Sequence, residues 1–201
     1  MPRYVALLRG INVGTAKHVP MADLKLACEN LGGRCVTTVL RSGSVVFDAD
    51  SAPDAPALEA EVERLTSVDA RAMILAAHEF AEITSANPLV DVATSGSKLF
   101  TTFLSEPVDE VDQLVQPDAA DLAPEVLRVG RRAVYQWVPG GSLQTKVPKG
   151  FWAQFSGIRT ARNANTVERI LTLLSEESEN PRSGNDAPGP LTGTVERHRV
   201  H

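Results

Sequence analysis

Apolar and polar positions follow two different periods along this chain, and the changes between them mark out its elements. Residues 3–8 are apolar on both alternating faces, Tyr4, Ala6 and Leu8 on one and Val5 and Leu7 on the other, the pattern of a central strand covered on both sides. A polar loop, residues 9–19, follows, and Pro20 suits the first position of a helix. Met21, Leu24, Cys28 and Leu31 recur at helical spacing, with Gly32 as the stop, which predicts an amphipathic helix of about three turns. Cys35 to Leu40 is rich in β-branched residues, Arg41-Ser42-Gly43-Ser44 is turn chemistry, and Val45 to Phe47 is apolar again, so the segment reads as a hairpin. Leu58, Val62 and Leu65 define a second helix, and Ala70 to Ala76 a further strand.

Strand, helix, strand, strand, helix, strand is the order of the split βαβ, or ferredoxin-like, unit. The expected fold class is therefore α+β, with residues 1–76 as a ferredoxin-like portion. In such a unit the first two strands run parallel with the third antiparallel between them. Their ends then share one edge of the sheet, which makes the loop from Arg9 to Gly14 a neighbour of the Arg41–Ser44 turn and of the positive end of the first helix.

The pattern from residue 77 is weaker. A short helix is expected over 78–86, a strand over 98–104, an acidic helix over 108–115, and a hairpin from Val126–Val129 and Ala133–Val138 around Gly130-Arg131-Arg132. Residues 139–163 give only a short helix near Phe151 to Phe155. Val167, Ile170, Leu171 and Leu174 mark an amphipathic helix preceded by Asn163, a residue type favoured at helix starts. Residues 77–177 thus read as a second, rearranged ferredoxin-like portion. Residues 178–201, dominated by proline, glycine and charge, read as a disordered tail that contains His198 and His201.

Composition changes this picture little. The chain has 201 residues, 43% of them hydrophobic and 22% charged, as in ordinary globular proteins. Tyr4 to Leu8 is too short for a leader or a membrane span, so a cytoplasmic protein with no membrane partner is expected. Cys28 and Cys35, without metal spacing, are expected as buried thiols. Charge matters more in its distribution than in its net value of −5. Residues 51–127 carry −12 and residues 128–169 carry +7. The two blocks either neutralise one another or leave a basic surface for an anionic ligand.

Four motifs carry a family likeness: Leu7-Leu-Arg9-Gly10-Ile11-Asn12-Val13-Gly14; Val19-Pro20-Met21; Arg41-Ser42-Gly43-Ser44-Val45-Val46-Phe47; and Thr160-Ala-Arg162-Asn163-Ala164-Asn165-Thr166-Val167. Together they resemble the domain of unknown function family 1697, a bacterial and uncharacterised family, over roughly the first 175 residues. The resemblance implies an α+β protein of two ferredoxin-like portions and no particular chemistry. It also adds Arg162, Asn163, Asn165 and Thr166 to the neighbourhood of the first loop. Where the family carries an asparagine-serine-glycine-asparagine turn, this chain has Arg41 and Ser44 at the outer positions; where the family has a tryptophan between two asparagines, it has Ala164, which removes a stacking face.

The candidate site is accordingly Arg9, Gly10, Asn12, Gly14, Lys17, Arg41, Ser42, Arg162, Asn163, Asn165 and Thr166. Guanidinium groups grip phosphate or carboxylate through paired bonds, and glycines let backbone N–H groups approach a ligand. Against this stands a purely structural role: Arg9 and Arg162 paired with acidic residues, Asn12 and Asn163 satisfying loop and helix-end backbone. Arg9 to Gly14 is neither a Walker loop nor a dinucleotide fingerprint. No zinc-type cluster and no triad is readable, and no cofactor is assigned. His18 is the one histidine beside the site, a candidate acid or base if an enzyme acts there on an anionic substrate. The other class is a single-stranded nucleic-acid-binding module that stacks bases on Tyr4 and Phe47, disfavoured by 5% aromatic content.

Overall fold

The computed structural model describes residues 1–12 and 18–176. It is a mixed α+β protein whose described residues form two four-stranded antiparallel sheets and six helices. Strands β1 (Arg3–Arg9), β2 (Arg34–Val39), β3 (Ser44–Asp48) and β4 (Arg71–Ala76) make the first sheet in the order β2-β3-β1-β4. Strands β5 (Leu99–Leu104), β6 (Val126–Val129), β7 (Ala133–Trp137) and β8 (Arg159–Asn163) make the second in the order β6-β7-β5-β8. Read along the chain, both sheets use one order: the first strand sits between the third and the fourth, and the second lies outside the third.

Five layers result. Helices α1 (Met21–Asn30) and α2 (Ala55–Thr66) cover the outer face of the first sheet, burying Ala6, Leu8, Val45 and Phe47 of the strands against Leu24, Cys28, Leu58 and Val62. The inner face, through Val5, Leu7, Val46 and Leu75, shares a core with Phe103, Tyr135 and Trp137 of the second sheet. Helices α3 (Ala77–Ser85) and α6 (Ala164–Ser175) fill that core with Phe80, Ile83, Val167 and Ile170. Phe80 stacks on Phe103 with ring centroids 5.0 Å apart. Beyond the second sheet, the short helices α4 (Ala119–Leu122) and α5 (Lys149–Trp152) add Leu122, Phe151 and Phe155 to a smaller cluster. The two apolar faces of β1 therefore serve two different cores, which is why its sequence does not alternate.

Three expectations need correction. The acidic stretch 108–115 is not a helix: only Val111–Gln113 forms a single 3-10 turn, and Val108 N–H donates to the Arg131 carbonyl at 2.8 Å. Asp109, Glu110 and Asp112 would repel within one helical turn, and Val108 and Leu114 pack on the smaller cluster without an α-helix between them. Residues 159–163, left unassigned by periodicity, are β8, whose inward positions are Thr160 and Arg162. Cys28 is buried, its thiol pushed up to about 12 by burial, but Cys35 is exposed. The sequence-based expectation for residues 178–201, with His198 and His201, lies outside the described residues. Among the described residues no helix is long and apolar enough to cross a membrane.

Candidate functional site

At the C-terminal end of β1 the chain turns away from the sheet, and the topology brings the β2–β3 turn alongside. Leu8 N–H donates to the Gly43 carbonyl at 2.8 Å. Gly43 has a φ of +69°, and a Cβ there would sit 2.7 Å from Ile11 Cδ1, so glycine is required by both conformation and space. Ser42 Oγ closes the turn on the Val39 carbonyl at 2.6 Å and lies 3.0 Å from Ser44 Oγ.

Asn12 fastens the loop to that turn. It holds a left-handed φ of +55°, which asparagine tolerates. Its amide nitrogen donates to the carbonyls of Val19 and Arg41, at 3.3 and 3.4 Å, and its oxygen accepts from Val19 N–H at 3.0 Å. With the oxygen so placed, the His18 Nδ1 found 3.1 Å from it is the donor, leaving Nε2 of the neutral ring as the basic nitrogen.

Strand β8 brings Arg162 beneath this corner from the second sheet. The side chain is 7% exposed, and its guanidinium donates to Ser44 Oγ at 2.7 Å, Thr160 Oγ1 at 2.8 Å, and the carbonyls of Ala161, Leu8 and Gly43 at 2.8, 2.8 and 3.3 Å. Those five bonds engage all its N–H groups. No carboxylate is among the acceptors. Burial pushes the guanidinium down to about 10, which leaves it charged at neutral pH. Both sequence-based readings of Arg162 therefore change. Among the described residues it pairs with no acid, and it has no donor left for a ligand; it joins the sheets and places a positive charge under the corner.

Arg9 and Arg41 are exposed, and neither side chain has a hydrogen bond or ion pair among the described residues. Burial, and then the charge of nearby Arg9, push the Arg159 guanidinium down. Arg159 itself is held by the carbonyls of Trp152 and Phe155. Arg159 is the residue that sequence reasoning missed; its only signal was the alternation in Arg159-Thr160-Ala161-Arg162, masked because the inward side chains are polar.

The remaining candidates are occupied otherwise. Asn163 caps α6, its Oδ1 accepting from Thr166 N–H at 3.0 Å and Thr166 Oγ1 at 2.9 Å. Asn165 is exposed and rests against Gly96, where a Cβ would lie 2.1 Å from its Oδ1. Gly10, at φ +75°, is open on its Cβ side. Gly14 and Lys17 lie outside the described residues. Phe47 is 1% exposed and Tyr4 stacks on it at 5.9 Å within the α1–α2 core, so the pair offers no open stacking face. Of the basic block, Arg131 pairs with Asp109 at 3.1 Å and Arg132 with Glu79 at 3.6 Å, whereas Arg159 and Arg162 meet no acid among the described residues. Among the described residues no group of three His, Cys, Asp or Glu side chains could hold a metal ion.

A family model described as a protein of unknown function, DUF1697, matches residues 1–135. No curated protein matches the chain. Among solved structures, the conserved bacterial protein SP0830 from Streptococcus pneumoniae is similar in fold, with 22% identity and a TM-score of 0.55 over 86% of this chain and 98% of that one.

Proposed function

The chain belongs to the DUF1697 family, whose members are of unknown function, and from its own residues we propose that the corner at the end of β1 binds a small molecule through a phosphate or carboxylate group. One observation carries this reading. Among the described residues the side chains of Arg9 and Arg41 meet no counter-charge, Arg9 lies close enough to Arg159 to disfavour its charge, and Arg162 is buried beside them without a carboxylate. Like charges gathered at one place raise the free energy of the unliganded protein, and an oxyanion removes that penalty. Arg9 and Arg41 supply the direct contacts, and Arg162 contributes field rather than a hydrogen bond. An enzyme acting at this corner would use His18 Nε2 as its base.

Within the same proposal residues 1–76 form a ferredoxin-like unit, and a second begins at residue 77 in a cytoplasmic protein. The support is the strand order shared by the two sheets, with α1 and α2 on one face of the first.

A thermal-shift screen at low ionic strength with inorganic phosphate, sugar phosphates, nucleotides and dicarboxylates tests the site, since a ligand of the folded state raises its melting temperature. Losing a charge-assisted hydrogen bond costs about 1.5–3 kcal/mol, so Arg9→Ala and Arg41→Ala are expected to weaken binding roughly 10- to 100-fold each. A shift undiminished in the double variant would place the site elsewhere.

A further inference from the structure

A cavity of about 500 Å³ opens between α3 and the β6–β7 turn, away from the corner at β1. That volume is typical of small-molecule sites. Its apolar side is formed by Ile83, Val129 and the ring of Tyr135, whose hydroxyl is already satisfied by donating to the Ile83 carbonyl at 2.6 Å. Arg128, Arg131 and Arg132 stand around it, together with Glu79 and Glu82.

The arginines are not equivalent. Arg131 has an exposed ion pair with Asp109, which solvent screens. Arg132 reaches Glu79 only at 3.6 Å, while the other Glu79 oxygen accepts from Ala76 N–H at 3.0 Å at the start of α3. Its Nε is buried and has no acceptor among the described residues. Arg128 donates to the adjacent Leu127 carbonyl at 2.7 Å and meets no carboxylate among the described residues. Two guanidinium groups thus retain N–H groups without acceptors beside an apolar floor.

The location repeats that of the first corner. Leu104 N–H donates to the Arg132 carbonyl at 3.0 Å just as Leu8 N–H donates to the Gly43 carbonyl at 2.8 Å, and Phe103 faces Ala133 as Leu7 faces Ser44. Each sheet therefore carries arginines where its first strand ends beside the turn joining its second and third.

We propose that this cleft binds a small carboxylic acid with an apolar body, the carboxylate on Arg132 and Arg128 and the body on Ile83 and Tyr135. A guanidinium takes a carboxylate through two parallel N–H bonds. A singly charged group also suits walls that hold two glutamates better than a doubly charged phosphate does.

An NMR titration of the full chain with benzoate and hexanoate is the test, with methyl benzoate and phenyl phosphate as comparisons. Saturable shifts at the amides of Ile83, Gly130 and Tyr135 are expected for the acids, with at least tenfold weaker binding of the ester and of the phosphate. Arg132→Gln and Arg128→Ala should each weaken benzoate at least tenfold, the second on an exposed strand position where folding is unaffected. Ala86→Trp, at the exposed end of α3, fills the cavity and should abolish the shifts. Arg9→Ala should leave them unchanged, which separates this cleft from the corner at β1. Absence of saturable shifts, equal response to the ester, tighter binding of phenyl phosphate, or indifference to Arg128→Ala and Ala86→Trp would overturn the proposal.

Discussion

Arg162 shows how a side chain that looks like a ligand-binding residue can be fully engaged by the fold. It lies on an edge strand of one sheet, yet three of its five acceptors, Leu8, Gly43 and Ser44, belong to the other. A buried charge is costly unless hydrogen-bonded on every side, and here neutral oxygens do this without a counter-ion. Arg162→Ala would remove five hydrogen bonds, three of them to Leu8, Gly43 and Ser44 across the two sheets, and is expected to cost about 3 kcal/mol or more. Urea denaturation measures it; a loss below about 0.5 kcal/mol, the range of ordinary surface substitutions, would show that the bonds between the sheets contribute nothing. Arg162→Lys should recover little, because an ammonium cannot span acceptors that a planar fork reaches.

At the scale of elements, the first half of the chain was legible because each strand and helix there follows a single period. Val5 and Leu7, Leu24 and Cys28, Leu58 and Val62 all point inward where periodicity puts them. Strand β8 was illegible because its inward positions hold Thr160 and Arg162, which hydropathy assigns to solvent. The same failure hid Arg159. The nearness of the β2–β3 turn to the end of β1 could be worked out from strand order alone, and Asn163 was readable as the start of α6 from its residue type, but the seat of Asn165 against Gly96 was not. Asn163 supplies the side-chain cap of that helix. Asn163→Ala is expected to lower stability by about 1 kcal/mol, read as a reduced melting temperature, while binding at Arg9 and Arg41 stays unchanged. A binding defect without a stability loss would return Asn163 to the site.

For the whole molecule, the decisive feature is the core shared between the sheets, since neither sheet buries its inner face without the other. Val5, Leu7, Val46 and Leu75 pack with Phe103, Trp137 and Ile170 in a single cluster. One cooperative unfolding transition is therefore expected for the intact chain, and residues 1–76 alone should show no sharp transition in urea. A fragment that melts cooperatively at the midpoint of the full chain would mean that the first sheet is self-sufficient. The place of α6 bears also on synthesis. The strands that line one side of the shared core are complete at Ala76, but the helix that covers them begins at Ala164. At ribosomal rates of about 5–20 residues per second the intervening stretch takes roughly 5–20 s to make. Through that interval the growing chain carries an apolar sheet face that α3 covers only in part, which makes it a client for holding chaperones until α6 emerges.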